Sequence, residues 1–317
     1  MNTEKSPFRL GWIGVGNMGC PMVRRLRLAG YTVDVCGSGR RDISPFCSET
    51  GACLKTCPRA VAEAADVIFS MIPNGEILLQ IIGGPEGLAK ADLSGKLLVD
   101  MSTVDPNSSA EAARLLEKSG GRLLRAPVTG STHFASDGTL GIMVSGERAD
   151  FEKCLPYFRV LGNRQTYLGQ GEAARYMKIV INMMLGHALQ SFCEALVLGE
   201  KLGLEWDAMI TLIADSAAAS PLIRYKADAV RARDFTPTST GYNMHKDMKM
   251  ATDLAQQADA SLPLTAAAMQ MYHALAAQGL SCRDSSSLIL VNERFNGLNG
   301  TDLTDDEAGI QDKGVTK

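Results

Sequence analysis

A lysine and an asparagine at a one-turn spacing are the side chains of this sequence best suited to chemistry. Lys178 and Asn182 are four residues apart within the stretch Gly171–Lys201, so on a helix they lie one above the other on the same face. A lysine among apolar neighbours can act as a general acid or base, and a nearby amide can hold the reacting oxygen or fix the lysine. The same local pattern also fits an ordinary solvated lysine, and the rest of the chain has to decide between the two interpretations.

The stretch around these residues has the periodicity of a long amphipathic helix. Its apolar residues recur at steps of three and four, which is the helical period. They are Met177, Val180, Ile181, Met184, Leu185, Ala188, Leu189, Phe192, Leu196 and Val197. At about 1.5 Å per residue, roughly 30 residues span about 45 Å. A helix of this length can connect two domains.

A glycine-rich turn near the start of the chain predicts a phosphate site. Residues 8–13 are typical of a buried strand, Cys20–Ala29 have a helical pattern, and Tyr31–Cys36 alternate as a second strand. The turn GVGNMG before the helix permits a tight bend and close approach of the backbone to a pyrophosphate. The helix N-terminus adds free N–H groups and a positive dipole. We predict dinucleotide binding by Gly14, Val15, Gly16, Asn17, Met18 and Gly19.

The residues after the second strand favour NADP over NAD. A carboxylate at this place would hold the ribose 2′-hydroxyl of NAD. Here Cys36 is followed by GSGRR, and Asp34 lies inside the strand. Arg40 or Arg41 could pair with a 2′-phosphate, whereas two solvated loop arginines are the alternative. NADP is therefore the prediction, with NAD left open.

Small polar residues follow three successive predicted strands in the first half of the chain. These turns are Pro73-Asn74, Ser102-Thr103 and Thr129-Gly130-Ser131. A further strand, Gly141–Ser145, is predicted for the same sheet. Ligands in open parallel sheets bind beyond the carboxyl ends of the strands, and such turns leave backbone N–H groups open to an anion. We expect the three turns to converge on one edge of the sheet.

The pattern becomes helical throughout after Gly171. Helix patterns lie near residues 172–201, 207–215, 221–231, 245–258, 263–278 and 284–295. The predicted fold is an α/β Rossmann-type doubly wound sheet followed by an all-α domain, the two joined by the long helix. The predicted bounds are 1–170 for the dinucleotide-binding domain, 171–297 for the helical substrate and oligomerisation domain, and 298–317 for a disordered tail.

Composition places the chain among ordinary globular proteins. Its 317 residues are 45% hydrophobic and carry a net charge of -3, which argues against nucleic acid or a membrane surface as a partner. No uncharged apolar run is long enough to span a bilayer, and the N-terminus lacks a secretory pattern. The eight cysteines and four histidines have no metal-ligand spacing. We expect reduced thiols, no metal and a cytoplasmic location.

Five motifs occur in the order found in the β-hydroxyacid dehydrogenase family, which this chain resembles from Leu10 to about Val291. The family includes 3-hydroxyisobutyrate dehydrogenase, tartronate semialdehyde reductase and succinic semialdehyde reductase. The motifs are GWIGVGNMGCPMVRRL, VDMSTVDP, APVTGS, GEAARYMKIVINMM and HKDMKMA. They resemble, in this order, the family's cofactor loop, its two substrate-region motifs, its catalytic helix and its late Lys-Asp motif.

The resemblance implies a role for each matching residue. Lys178 matches the catalytic lysine, Asn182 the asparagine one turn on, and Lys246 a lysine near the nicotinamide end of the cofactor. Pro73 and Thr103 would also contact the cofactor. The residues that would receive the substrate's carboxylate or hydroxyl, or lie beside them, are Ser102, Thr129, Gly130 and Ser131.

Several residues depart from the family's usual pattern. Its DAPVSGG stretch has Arg125, Thr129 and Ser131 at three of its positions here. The Asn-Arg pair common in NADP-using members is replaced by Gly37-Ser38. These changes leave the fold intact and bear on the choice of substrate and cofactor.

The resemblance implies an NAD(P)-dependent 3-hydroxyacid dehydrogenase with a C-terminal domain like that of 6-phosphogluconate dehydrogenase. Hydride would pass between the nicotinamide and a short 3-hydroxyacid or semialdehyde, with Lys178 as general acid/base. A small carboxylate is the expected substrate and a homo-oligomer the expected assembly. Two alternatives stay open: an imine reductase, which usually lacks the lysine, and a non-catalytic dinucleotide-binding module, which would be expected to lose it.

Overall fold

A parallel sheet of six strands occupies the first half of the chain in the computed structural model, which describes residues 8–298. The strands are β1 (Leu10–Ile13), β2 (Val33–Cys36), β3 (Cys53–Leu54), β4 (Val67–Ser70), β5 (Leu97–Asp100) and β6 (Arg122–Arg125). Their order is β3-β2-β1-β4-β5-β6, as in doubly wound dinucleotide-binding folds. The predicted fold class is confirmed. The predicted disordered tail lies outside the described residues, apart from Leu298.

Apolar clusters cover both faces of this sheet. The helices that connect its strands are α1 (Gly19–Leu28), α2 (Ser44–Thr50), α3 (Pro58–Ala64), α4 (Gly75–Gly83) and α5 (Pro106–Glu117). Successive strand residues point to opposite faces, so Trp12 belongs to one buried cluster and Ile13 to another. Trp12 stacks on Phe69 with ring centroids 5.5 Å apart. Burial on both faces explains why these strands are apolar runs rather than alternating ones.

The last residues of four neighbouring strands form one row at the carboxyl edge. Ile13 pairs with Ser70, Ser70 with Asp100, and Asp100 with Arg125. Because the strands are parallel, the loops that follow them all leave from this edge. The turns that begin after β1, β4 and β5 therefore converge, as predicted for the two that contain Pro73-Asn74 and Ser102-Thr103.

The third predicted turn does not leave the parallel sheet directly, because a further short strand that the sequence prediction lacks comes first. Thr129-Gly130-Ser131 follows β7 (Val128–Thr129), which belongs to a separate sheet with β8 (Leu140–Val144) and β9 (Gly162–Tyr167). Since β7 is antiparallel to β8, the predicted strand at Gly141–Ser145 does not extend the parallel sheet either. Pro127 lies between β6 and β7 and has no N–H to continue the ladder. Two more helices connect the strands of this sheet along the chain, α6 (Thr132–Asp137) and α7 (Arg148–Leu161).

One long helix, α8 (Ala173–Lys201), begins the helical half of the chain. The helices α9 to α13 follow at Trp206–Asp215, Pro221–Arg231, Gly241–Gln257, Pro263–Ala277 and Leu288–Phe295. An 18-residue window of α8 has a mean hydropathy of 1.2, so by length and composition it could cross a membrane, and 44% of that window is buried inside the protein. Core helices of globular proteins pass the same test, and the helix alone is weak support for a membrane span.

The chain divides into two compact units, and the division between them falls within the sequence of α8. They are Met1–Ile181 and Asn182–Lys317. The first unit therefore contains Lys178 and the second contains Asn182. The boundary predicted from sequence, between residues 170 and 171, lies in the loop before α8. The predicted boundary separates domains that fold independently, and it stays a prediction.

Candidate active site

The glycine loop between β1 and α1 has a backbone that requires two of its glycines. Gly14 has φ +97°, in the left-handed region that favours glycine. A Cβ on Gly14 would collide with the carbonyl oxygen of Met71. A Cβ on Gly19 would collide with the carbonyl oxygen of Gly14. The protein's own packing explains these two glycines.

Gly16 is required by nothing inside the protein. A Cβ added there meets no atom within 4 Å. Within the described range 8–298, the amides of Gly16, Asn17 and Met18 donate to no backbone carbonyl. These N–H groups lie at the N-terminus of α1, where the helix dipole favours a phosphate. The loop therefore fits a pyrophosphate, while Val15 packs in the buried cluster below it.

Two arginines lie in the loop that follows β2. Asp34, inside the strand, is paired with Lys55 at 3.2 Å, so no free carboxylate ends the strand. Arg40 and Arg41 are both exposed. Burial raises the pKa of the Cys20 thiol, and the charge of Arg41 opposes that shift. Cys20 lies in the first turn of α1, so the charges of Arg41 and Arg24 both act on this turn.

A buried arginine anchors the start of α8 to the carboxyl edge of the sheet. The guanidinium of Arg175 donates to Asp100, to the carbonyl oxygen of Ser102 at 2.5 Å and to Ser109 Oγ at 3.3 Å. The side chains of Arg175 and Asp100 are both 0% exposed. Lys178 is three residues after Arg175 and only 8% exposed. The candidate lysine is thus a buried residue next to a fixed turn of helix.

Ser102 is buried within the same network. Its hydroxyl donates to Asp100 Oδ1 at 2.7 Å and accepts from the amide of Ile72 at 2.8 Å. The hydroxyl therefore joins the turns after β4 and β5. Pro73 and Thr103, the predicted cofactor contacts, lie in these two turns; Pro73 is exposed and Thr103 is half-buried. Substrate contact by Ser102 stays a prediction.

The turn after β7 contains a glycine in the left-handed region of the backbone and a buried hydroxyl group. Gly130 has φ +122°, and a Cβ there would press on Phe134 and Leu140. Ser131 Oγ is buried and has no hydrogen-bond partner in the described part of the chain. Thr129, in β7, is half-buried.

Arg125, which departs from the family pattern, is paired inside the protein. Its Nε and one Nη donate to Glu172 Oε1 at 2.8 and 2.5 Å, and its other Nη donates to the carbonyl of Leu123 at 3.3 Å. The two side chains are 11% and 10% exposed. The positive charge is neutralised by the residue just before α8.

A separate polar group lies in the second unit. Asn182 Nδ2 donates to Asp247 Oδ2 at 2.5 Å, and Lys246 Nζ is 3.3 Å from Asp247 Oδ1. Asn182 Oδ1 is buried and has no hydrogen-bond partner among residues 8–298. Because Asp247 only accepts, the amide nitrogen must face it and the amide oxygen is left open to a donor.

Sequence reasoning missed the buried residues that tie the start of α8 to the sheet. Asp100, Arg175 and Glu172 have no role in the sequence prediction, although Arg175 is one turn before Lys178 and a spacing of three was available as a signal. Within the described chain, no group of three His, Cys, Asp or Glu side chains is placed to hold a metal ion.

The doubly wound sheet, its glycine loop and the helical half define a dinucleotide-binding protein of the dehydrogenase class. Two family models match in succession. The NAD binding domain of 6-phosphogluconate dehydrogenase matches residues 9–169. The NAD-binding domain of NADP-dependent 3-hydroxyisobutyrate dehydrogenase matches residues 169–291.

Individual relatives cover nearly the whole chain. 2-(Hydroxymethyl)glutarate dehydrogenase of Eubacterium barkeri is 35% identical over 93% of this chain and 98% of its own length. The cytokine-like nuclear factor N-PAC of Anopheles gambiae is 31% identical over 93% of this chain and 52% of its own length. A structure of 3-hydroxyisobutyrate dehydrogenase from Mycobacterium tuberculosis with L-serine is 28% identical, with a TM-score of 0.78 over 89% of this chain and 98% of that one. The chain belongs to the β-hydroxyacid dehydrogenase family, and it is an NAD(P)-dependent oxidoreductase acting on CH–OH groups.

Proposed function

We propose that this enzyme interconverts a short 3-hydroxyacid and its semialdehyde, with Lys178 as the proton donor and acceptor. The observation that carries the proposal is the burial of Lys178 one turn beyond Arg175, which is tied to the ends of β4 and β5. A buried amine beside the edge where a doubly wound sheet binds its ligand is suited to proton transfer. The nicotinamide, when bound, supplies or accepts the hydride.

Lys178 is proposed to act on the oxygen of the substrate. In reduction its ammonium donates a proton to the carbonyl oxygen as negative charge develops there; in oxidation its neutral amine removes the hydroxyl proton. The ammonium also stabilises the developing alkoxide by its charge. Asn182, one turn further along α8, has an open amide oxygen. An acceptor of this kind favours orienting the lysine over donating to the substrate.

The substrate we propose carries a hydroxymethyl group on the carbon next to a carboxylate. This unit is common to 2-(hydroxymethyl)glutarate, 3-hydroxyisobutyrate and L-serine, the compounds named with two relatives. Backbone N–H groups near Thr129 and Gly130 and the unpaired hydroxyl of Ser131 are proposed to receive the carboxylate. Arg125 is not assigned to the substrate because Glu172 neutralises it.

NADP is proposed as the preferred dinucleotide. The pairing of Asp34 with Lys55 and the charge of Arg41 near α1 both support a 2′-phosphate over a free 2′-hydroxyl. Arg40 is proposed as a second contact with this phosphate. Lys246, in the second unit, stays a proposed contact for the nicotinamide end, with Pro73 and Thr103. A homo-oligomer and a cytoplasmic location are likewise proposals.

A non-catalytic dinucleotide-binding module is the second candidate, because one relative of nearly equal identity is named as a nuclear factor. Lys178 argues for catalysis, since a module without activity has no need of a buried lysine. The imine reductase alternative is disfavoured by the same residue. These candidates differ in whether and how reduced dinucleotide is consumed.

The test follows absorbance at 340 nm with NADPH or NADH and a panel of short aldehyde-acids, with cyclic imines as a separate set. We expect turnover with the aldehyde-acids and a loss of about 10²- to 10⁴-fold in kcat for Lys178→Met, with cofactor binding retained. The control is Lys249→Met, which removes a lysine that is 62% exposed and paired with Asp253. Dinucleotide binding without turnover on any substrate would support the module, and near-normal turnover by Lys178→Met would refute the role of the lysine.

A further inference from the structure

We propose that Arg175 and Asp100 are positioning residues that set the place of Lys178 by holding the first turns of α8 against the ends of β4 and β5. The inference rests on the proposed role of Lys178. It concerns residues that neither substrate nor cofactor needs to touch.

The guanidinium of Arg175 donates hydrogen bonds to three different groups. Its acceptors are a carboxylate oxygen of Asp100, the carbonyl oxygen of Ser102 and the hydroxyl of Ser109. Only the planar fork of an arginine can reach three acceptors in fixed directions; a lysine ammonium on a flexible stem cannot. These hydrogen bonds therefore fix the rotation of α8 about its axis and its position along that axis at this turn.

The carboxylate of Asp100 passes this restraint on to the strand ends. Its second oxygen accepts from Ser70 Oγ at 2.6 Å and from Ser102 Oγ at 2.7 Å. Ser102 Oγ accepts in turn from the amide of Ile72. A continuous chain of hydrogen bonds thus runs from α8 to the turn that carries Pro73, a proposed cofactor contact.

Lys178 follows any displacement of Arg175, because the two residues are three apart on one rigid helix and lie on neighbouring faces. A misplacement of about 1 Å can cost about 100-fold in rate. A buried ion pair by itself is weak support for a stabilising role, since apolar residues of similar size often stabilise as well. The buried and hydrogen-bonded pair of Arg175 and Asp100 is better explained by the position that it gives to α8 than by a gain in stability.

The decisive variant is Arg175→Lys, which keeps the charge and loses the fork. We expect kcat to fall about 10- to 100-fold, with the KM for substrate and the Kd for NADPH within about threefold of wild type. The primary deuterium isotope effect on kcat, measured with 4-deuterated NADPH, should increase because the chemical step becomes slower. A merely structural defect would lower the fraction of active protein and leave the isotope effect unchanged.

The matched control is Arg122→Lys. Arg122 also makes two hydrogen bonds to one carboxylate, that of Asp150 at 2.8 and 2.9 Å, and it contacts no residue of α8 in these bonds. Its kcat and isotope effect should match the wild type. If Arg175→Lys does not fold, Ser70→Ala removes a single hydrogen bond from Asp100 and should still increase the isotope effect with the melting temperature retained.

The inference is overturned if Arg175→Lys, or Ser70→Ala in its place, keeps the wild-type kcat and isotope effect. This failure is separate from failure of the proposed function. In the latter case the wild-type enzyme itself would show no turnover, or Lys178→Met would keep it.

Discussion

The guanidinium of Arg125 donates two hydrogen bonds to a single oxygen of Glu172, at 2.8 and 2.5 Å. The bonds join the last residue of β6 to the residue just before α8. Ser145 reinforces the same junction, because its hydroxyl donates to the carbonyl of Gly171 at 2.8 Å and accepts from the amide of Ala174 at 3.1 Å. From the sequence, Arg125 changes the charge of the predicted substrate region. In the structure it has a structural role, because it joins the end of β6 to the start of α8.

Removal of Glu172 should destabilise the first unit. In Glu172→Ala the guanidinium of Arg125 stays buried without its carboxylate, and we expect a loss of about 3 kcal/mol in the free energy of unfolding. The exposed pair of Arg24 and Glu49 provides the control: Glu49→Ala should cost much less, because solvent screens an exposed pair. Urea unfolding measures both variants. Equal losses would mean that burial of the Arg125 pair has no energetic effect.

The glycines of the loop should divide into two classes. Gly14→Ala and Gly19→Ala place a Cβ against the backbone, so we expect a lower melting temperature for both. Gly16→Ala places it in open space and should leave the melting temperature unchanged while weakening NADPH binding at least tenfold, because a Cβ keeps the pyrophosphate from the backbone. Thermal unfolding and a fluorescence titration with NADPH separate the two effects. Unchanged NADPH binding in Gly16→Ala would place the pyrophosphate elsewhere.

Arg41 should decide the preference between the two dinucleotides. Arg41→Ala removes one of the two positive charges that act on Cys20 in the first turn of α1, and we expect the KM for NADPH to rise about tenfold while the KM for NADH changes little. Steady-state kinetics with both cofactors measure the ratio. The control is Arg114→Ala, which removes an exposed arginine of α5 that is paired with Glu111. Arg27 is unsuitable as a control, because it donates hydrogen bonds to the carbonyls of Thr50 and Tyr31. An equal rise for both cofactors would contradict recognition of a 2′-phosphate.

The second unit should lose stability in acid through Asp284. Burial alone would raise the pKa of this carboxyl, but Lys226 and several hydrogen bonds lower it to about 2. Both oxygens of Asp284 accept from Lys226 Nζ at 2.7 Å. A lowered pKa means that the stabilisation is present above the ordinary carboxyl pKa and is lost as the pH falls towards about 2.

About 2 kcal/mol of stability is expected to depend on the charge of Asp284. Wild-type protein should lose it between about pH 4 and pH 2, whereas Asp284→Asn should be less stable at neutral pH and less sensitive to acid in that range. Unfolding in urea at a series of pH values measures the difference. Parallel pH profiles for the two proteins would show that Asp284 has the same pKa folded and unfolded.

Features with a local physical cause were predictable. The six-residue glycine turn between a strand and a helix could be recognised in the sequence. Its determinants, the conformational freedom of glycine and the helix dipole, act over only a few residues. The helices after residue 171 were found from their periodicity, since one face of each must be buried. The helix α7 was missed although Phe151, Cys154, Phe158 and Leu161 have helical spacing; Pro156 inside it is a residue that usually breaks helices.

The tertiary structure alone decided which side chains meet. By itself the sequence determined the doubly wound fold, the dinucleotide loop, the family and the candidate lysine. It could not bring Arg175 to Asp100, 75 residues earlier, or Glu172 to Arg125, because such pairs depend on how strands and helices pack rather than on spacing along the chain. For the same reason it could not tell that the turn after Val128 leaves the parallel sheet, or that Ser102 directs its hydroxyl inward to join two loops.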